Sequence, residues 1–275
     1  MCGIAGYMHA DPARPVDPQT LVAMAAIQHH RGPDGFGWQV VDGRGVGFSH
    51  ARLSIIDLDE NRARQPFRSA DGELLLAQNG ELYDYKRLRA DLVSRGARFR
   101  TKSDSELVLH LYPRYGLEDM LPHLRGEFAF ALYDRQRDRL MLVRDRFGIK
   151  PLYWTEANGT FVFGSELKVL FAHPEVPRRF SSQGLFHQLM QTIVPGTTAF
   201  EGIHQVQPGH VLIVERAHGR FQIRTQRYWD MDFPLQSERE DGRDEDFYIE
   251  GVREQLLQAV QLRLEADVPV ACYLS

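Results

Sequence analysis

Cys2 is the residue whose type and position offer chemistry most directly. It stands in the run Met1-Cys2-Gly3-Ile4-Ala5-Gly6-Tyr7. Removal of Met1 would place a thiol of ordinary pKa near ~8.5 beside an α-amine of pKa about 7.7–8.0. That amine can take the thiol proton, directly or through one water. This is the N-terminal-amine form of an activated nucleophile, and it needs no histidine. Gly3 and Gly6 flank two apolar residues, which suits a buried strand whose first residue reaches a cleft. Other polar residues have plainer readings when taken alone. Asn79-Gly80 reads as a hairpin turn. Asp104, in Ser103-Asp104-Ser105-Glu106, reads as a helix cap, and Arg52 as a solvated charge.

The 275 residues are 43% hydrophobic and 25% charged, which is ordinary globular composition with length for a sizeable core and a second domain. A formal net charge of −4 gives no global positive field for nucleic acid. The two cysteines, Cys2 and Cys272, lie at opposite ends, which argues against a disulfide framework. A free reactive thiol fits a reducing cytoplasm. The N-terminus lacks a basic stretch followed by an apolar one, so no signal peptide is expected. No apolar run approaches the ~20 residues of a membrane span. His29, His30 and His50 lack the spacing of a zinc site, so no metal is expected.

The elements that must position Cys2 follow from pattern. Residues 17–29 read as an amphipathic helix capped by Asp17, with Pro18 in its first turn. Strands over 37–41 and 46–50 meet at Asp42-Gly43. Residues 51–57 read as a further strand, and 73–78 as one that runs into Asn79-Gly80-Glu81. Helices are expected over 84–95, with Asp84 as cap and Gly96 closing it, and over 103–115. Strands over 128–134, 139–144 and 159–164 follow, then short helices over 165–171 and 182–191. A hairpin-like stretch over 200–214 surrounds Pro208-Gly209, and 230–244 reads as a linker. Residues 246–265 form a strong helix with Val252, Leu256, Leu257, Val260 and Leu264 on one face. The apolar run 268–274 reads as a parallel, doubly buried strand, with Cys272 an inert core residue. The helices are too few for βαβ alternation, so layered, mainly antiparallel sheets with helices outside are expected.

Read together, M-C-G-I at 1–4, R-G-P-D at 31–34, H-A-R-L-S-I at 50–55, N-G-E at 79–81, S-D-S-E at 103–106 and R-D-R-F-G-I-K-P-L-Y at 144–153 keep the order and spacing of a known family. The chain resembles class II glutamine amidotransferases, in particular the N-terminal part of glutamine-hydrolysing asparagine synthetases. P-G-T-T-A-F-E-G-I at 195–203, Q-P-G-H at 207–210 and R-Y-W-D at 227–230 resemble that family's junction between domains. V-P-V-A-C-Y-L-S at 268–275 is similar to the strand before its ATP-pyrophosphatase loop. One departure is Leu82-Tyr83-Asp84 after N-G-E, where the family commonly has I-Y-N.

The resemblance implies an α+β fold, a four-layer αββα N-terminal-nucleophile sandwich over 2–190. A connector over 191–243 and the truncated start of an α/β ATP-pyrophosphatase domain over 244–275 would follow. It implies that Cys2 is the nucleophile and that Asn79 and Gly80 bind the oxyanion. Arg52 would grip the carboxylate of glutamine, and Asp104 with Glu81 its ammonium. Leu53, Ser54, Ile55 and Ile56 would contribute further glutamine contacts, and Leu274 matches a position at the ATP site. Arg31 would shape a loop near the site, while Asp145 and Arg146 brace a sheet. The implied reaction is glutamine hydrolysis without a cofactor, with ATP and Mg2+ serving a synthetase domain that makes asparagine from aspartate. A homodimer in the cytoplasm is implied, with no nucleic-acid or membrane partner. Alternatives are another carboxylate acceptor, or a non-catalytic interaction domain that keeps Met1.

Overall fold

Side chains alternate along a strand, so a strand buried on both faces needs two cores. β1 (Gly3–His9) shows this at once in the computed structural model, which describes residues 1–192, 194–238 and 242–273. Ile4 and Met8 face one core, Ala5 and Tyr7 another. β1 lies between β3 (Val46–Arg52) and β9 (Thr160–Gly164), both antiparallel to it. β2 (Gly35–Val41) completes one side of this sheet, and β8 (Tyr153–Ala157) with β10 (Ile203–Gln205) the other. The second sheet runs β12 (Arg220–Arg227), β11 (His210–Ala217), β7 (Arg139–Arg144), β6 (Gly126–Asp134), β5 (Leu74–Leu82), β4 (Phe67–Arg68).

The two sheets pack face to face. Small residues on one sheet, Ala77, Ala129 and Ala131, share a core with bulky Phe48, Phe161 and Phe163 on the other. That complementarity fills the interior to solid-like density. On the outer face of the first sheet, α1 (Pro18–Ala26) and α4 (Leu167–Leu170) bury Leu21, Met24, Val169 and Leu170. On the outer face of the second, α2 (Tyr85–Ser94) and α3 (Leu107–Met120) bury Leu92, Leu107 and Leu111 with Phe128 and Phe130. The four-layer αββα order is therefore as expected. Asp17 caps α1, accepting from the N–H groups of Gln19 at 3.0 Å and Thr20 at 3.2 Å.

Several expectations are corrected. No strand covers 51–57. Ala51 and Arg52 end β3, and the loop after them has its N–H groups taken by side chains, those of Leu53 by Cys2, Ser54 by Asp34 and Asp57 by Asp267. Asn79-Gly80 is not a turn, because β5 continues through it in register with Ala129 and Phe128. Asp84 does not cap α2. Its φ of +57° is left-handed, whereas a capping residue sits in the extended region, and its carboxylate pairs with Arg87 instead. The stretch 200–214 is not a hairpin, since β10 joins β8 in one sheet and β11 joins β7 in the other. The hairpin lies further on, where β11 and β12 meet at His218-Gly219, both with positive φ.

The expected connector of 191–243 thus contains three strands that extend both sheets. α5 (Ser182–Leu189) precedes them, with Ser181 as its cap. α6 (Glu245–Arg263) follows, capped by Asp244. Its predicted apolar face is there, but Val252, Leu256, Leu257, Val260 and Leu264 are each more than half exposed. Residues 268–273 are not a strand, and Cys272 is exposed.

Candidate active site

β1, β3 and β5 bring their ends to one cavity of about 220 Å³. Cys2 enters it from the start of β1, Arg52 from the end of β3, and Asn79, Gly80 and Glu81 from β5. Leu53, Ile55 and Ile56 supply the loop wall, and Asp104 the turn before α3. Ser54 is not in the lining, and its N–H donates to the Asp34 carboxylate at 2.7 Å. Leu274 falls outside the described residues.

Cys2 is held by backbone rather than by a catalytic histidine. Its Sγ accepts from the Leu53 N–H at 3.3 Å and lies 3.5 Å from the Leu53 carbonyl oxygen. Arg31 Nε donates to the Cys2 carbonyl at 2.9 Å while its Nη1 pairs with Glu166 at 2.9 Å. Burial pushes the Cys2 thiol above its ordinary value, against the lowering effect of the Leu53 N–H. Burial also holds the Met1 α-amine below its ordinary value. A protonated thiol therefore needs a base at hand. Met1 lines the same cavity but is 54% exposed, which leaves it open to an aminopeptidase.

Two features of β5 face the nucleophile. Asn79 is fully buried, and neither its Nδ2 nor its Oδ1 has a hydrogen-bond partner among the described residues. A buried polar group left unsatisfied costs about 1–3 kcal/mol, so it invites a ligand. Gly80 has φ +117°, and a Cβ there would lie 1.9 Å from the Glu127 carbonyl oxygen. Only glycine lets β5 pass β6 so closely. The Gln78 amide is also unpartnered, and nothing in the structure assigns it a role.

Charge in the cavity is arranged for a zwitterion. Arg52 is 8% exposed, donates to the Asp57 carbonyl, and has no carboxylate partner among the described residues. Asp104 is 3% exposed, and burial raises its pKa to about 6 despite the Leu82 N–H it accepts at 2.6 Å. Burial, then repulsion from Asp104 and Glu127, raises Glu81 as well. An uncompensated cation and two strained carboxylates match an α-carboxylate and an α-ammonium.

Asp104 sets a pH dependence with a definite sign. Its folded value lies above the ~3.9 of an unfolded Asp, so ionising it disfavours the folded state. Its contribution to stability is greatest below about pH 4 and falls as pH rises through about 6. Buried His9 and His50, lowered to about 4, give the opposite slope, so thermal melts of the ligand-free protein from pH 4 to 7 should show stability rising more steeply in Asp104→Asn than in wild type. An equal slope in that variant would contradict the assignment.

Sequence reasoning missed other lining residues. Lys150 and Glu127 form an ion pair at 3.2 Å on the cavity wall. Lys150 belongs to R-D-R-F-G-I-K-P, and the buried Asp145 carboxylate positions it by accepting from the N–H groups of Phe147, Ile149 and Lys150. Asp145 thus braces a loop, where a sheet was expected, and Arg146 lies against Trp229. Gln65 also lines the cavity and brackets the Gln78 backbone, accepting from its N–H at 2.7 Å and donating to its carbonyl at 3.2 Å.

The glutamine amidotransferase domain family matches residues 1–229. The chain belongs to the class II glutamine amidotransferases. The matched span ends just after β12, so the amidotransferase unit includes both completed sheets. Relatives of this amidotransferase include amidase chry2 of Gibberella zeae, 41% identical over all of this chain and 41% of that protein. Amidase chyE of Penicillium rubens is 39% identical, again over all of this chain and 41% of that protein. Glutamine-hydrolysing asparagine synthetase 3 of Bacillus subtilis is 34% identical over all of this chain and 43% of that protein. The chain therefore spans about two-fifths of the length of these curated relatives. A solved structure of glutamine phosphoribosylpyrophosphate amidotransferase from B. subtilis shares the fold, with TM-score 0.61 and 21% identity over 83% of this chain and 49% of that one.

Proposed function

We propose that the chain hydrolyses glutamine to glutamate and ammonia through a γ-glutamyl thioester on Cys2. The observation that carries this reading is one cavity that holds together Cys2, the Asn79 amide and the Arg52 guanidinium, the amide without a hydrogen-bond partner and the guanidinium without a carboxylate partner among the described residues. Once Met1 is removed, the α-amine of Cys2 takes the thiol proton and the thiolate attacks the γ-carboxamide carbon. Asn79 Nδ2 and the Gly80 N–H donate to the oxyanion. The α-ammonium returns a proton to the departing ammonia, leaving the thioester. Water, deprotonated by the same amine, then releases glutamate and restores the thiol. Arg52 binds the substrate α-carboxylate, Asp104 and Glu81 its ammonium, and Leu53, Ile55 and Ile56 wall the side chain.

The test is a product assay. Glutamate and ammonia should appear one to one, and hydroxylamine should divert the thioester to γ-glutamyl hydroxamate. Absence of both products from Met1-free protein would remove the reading. Arg52→Gln should raise the glutamine KM by about 30-fold or more, since it deletes one side of a buried charge pair worth at least 2 kcal/mol. Steady-state kinetics checks this; an unchanged KM would exclude Arg52 as the carboxylate ligand. The glutamine KM should also rise as pH falls below about 6, where Asp104 takes up a proton.

The use of the ammonia is the finer part of the proposal. Aspartate as acceptor, with ATP and Mg2+ and asparagine as product, is supported by relatives named asparagine synthetases at 34–36% identity. A different acceptor is supported by the higher identity to two proteins named amidases. ATP would enter beyond Val268, where Leu274 is the proposed contact. The homodimer and the cytoplasmic setting rest on the family resemblance, and no described helix is long and apolar enough to cross a membrane.

A further inference from the structure

The segment that follows α6 reaches back to the cavity loop. Asp267 donates its N–H to the Ile55 carbonyl at 2.9 Å, and its carboxylate accepts from the Asp57 N–H at 2.8 Å. Both bonds fall on the loop 53–57, whose Leu53, Ile55 and Ile56 wall the cavity. Asp57 has φ +59°, a conformation that few non-glycine residues adopt without support. Its carboxylate is already taken by Arg62 at 2.7 Å and by the Lys102 N–H at 2.6 Å. Its carbonyl accepts from Arg52, the buried cation without a carboxylate partner among the described residues. The Asp57 backbone is therefore held on one side by Asp267 and holds Arg52 on the other. Lys86 pairs with Glu265 at 3.1 Å and the Arg263 guanidinium lies 5.2 Å from the Tyr83 ring centre, so the segment has its own anchors.

We propose that Asp267 is a positioning residue for glutamine, which fixes the loop 53–57 and through the Asp57 carbonyl aims Arg52 at the substrate carboxylate. The proposal deepens the glutaminase reading and depends on it for its kinetic arm. It makes the C-terminal segment part of the glutamine site, although Asp267 touches no substrate. Coupling of this kind is reciprocal, so glutamine in the cavity should tighten the segment in turn.

The test compares wild type, Asp267→Ala and Asp267→Asn in the full chain after Met1 removal. Asp267 is exposed and outside both sheets, so the variants keep the fold, which thermal melts verify. Amide hydrogen exchange over 53–57 should quicken roughly tenfold in Asp267→Ala, the equivalent of one charge-assisted bond. The glutamine KM should rise by a similar factor with kcat within about twofold. Asp267→Asn keeps the acceptor for the Asp57 N–H and should restore most of both. Lys86→Ala, which removes only the surface pair, should leave KM unchanged. Unchanged exchange in folded Asp267→Ala overturns the proposal whether or not glutamine is turned over. Faster exchange with an unchanged KM, or a fall in kcat alone, overturns it as well. A wild type that makes no glutamate instead sinks the glutaminase reading, and the exchange arm then shows separately whether Asp267 holds the loop.

Discussion

Cys2→Ala is expected to lower glutamine turnover by at least ~10⁴-fold while leaving the fold intact. Loss of a nucleophile removes the covalent route, and what survives is binding and oxyanion stabilisation alone. Cys2 sits at the margin of β1, so the variant loses only contacts with the Leu53 backbone. Cys2→Ser should also be much slower, because a serine hydroxyl is far less acidic and a poorer nucleophile than a thiol. Initial rates of ammonia release decide the matter. Residual activity within tenfold of wild type in Cys2→Ala would place the chemistry elsewhere.

Asn79→Ala carries the second large effect, a fall in kcat of about 10²–10³ with KM little changed. The split follows from where the bond is made. The Asn79 amide has no partner among the described residues, and its donor becomes useful only when the carbonyl oxygen gains charge. Stability should move differently from activity. Removing an unsatisfied buried amide takes away a desolvation penalty, so the variant should melt no more than slightly below wild type, despite the cavity it leaves. A KM effect with unchanged kcat would make Asn79 a binding group instead. Steady-state kinetics with parallel melts separates these outcomes.

Much of the fold was readable because its strands are covered on both faces. Runs such as Phe128 to Tyr133 and Leu140 to Val143 are apolar or aromatic throughout, and they lie in strands as expected. Helix periodicity is local too, so α1, α2, α3 and α6 lie within a few residues of their expected places. The failures share a cause in partners distant in sequence. Residues 51–57 look like a strand, yet Cys2, Asp34 and Asp267 take the N–H groups a sheet neighbour would need. Residues 268–273 look like a buried strand, but apolar character alone supplies no edge to pair with.

The site divides in the same way. Of Cys2, Arg52, Asn79, Gly80, Glu81 and Asp104, Cys2 offers its chemistry by its own position, whereas Arg52, Asn79, Gly80 and Asp104 have structural readings when taken singly and become legible through their ordered motifs. The cavity brings all six together. Lys150 and Glu127 were not legible, because Lys150 is placed by the Asp145 carboxylate through backbone bonds that no sequence pattern displays. Ser54 shows the converse, as a motif residue whose backbone is turned to Asp34 and away from the cavity.

The central claim is that Cys2, freed of Met1, is a nucleophile in a glutamine-shaped pocket. Intact mass before and after treatment with 6-diazo-5-oxo-L-norleucine, a glutamine-like alkylator, tests it most directly. The account predicts loss of Met1 and one adduct per chain, absent from Cys2→Ala and suppressed by excess glutamine. Met1 retained in every molecule, or an adduct that persists in Cys2→Ala, would contradict it.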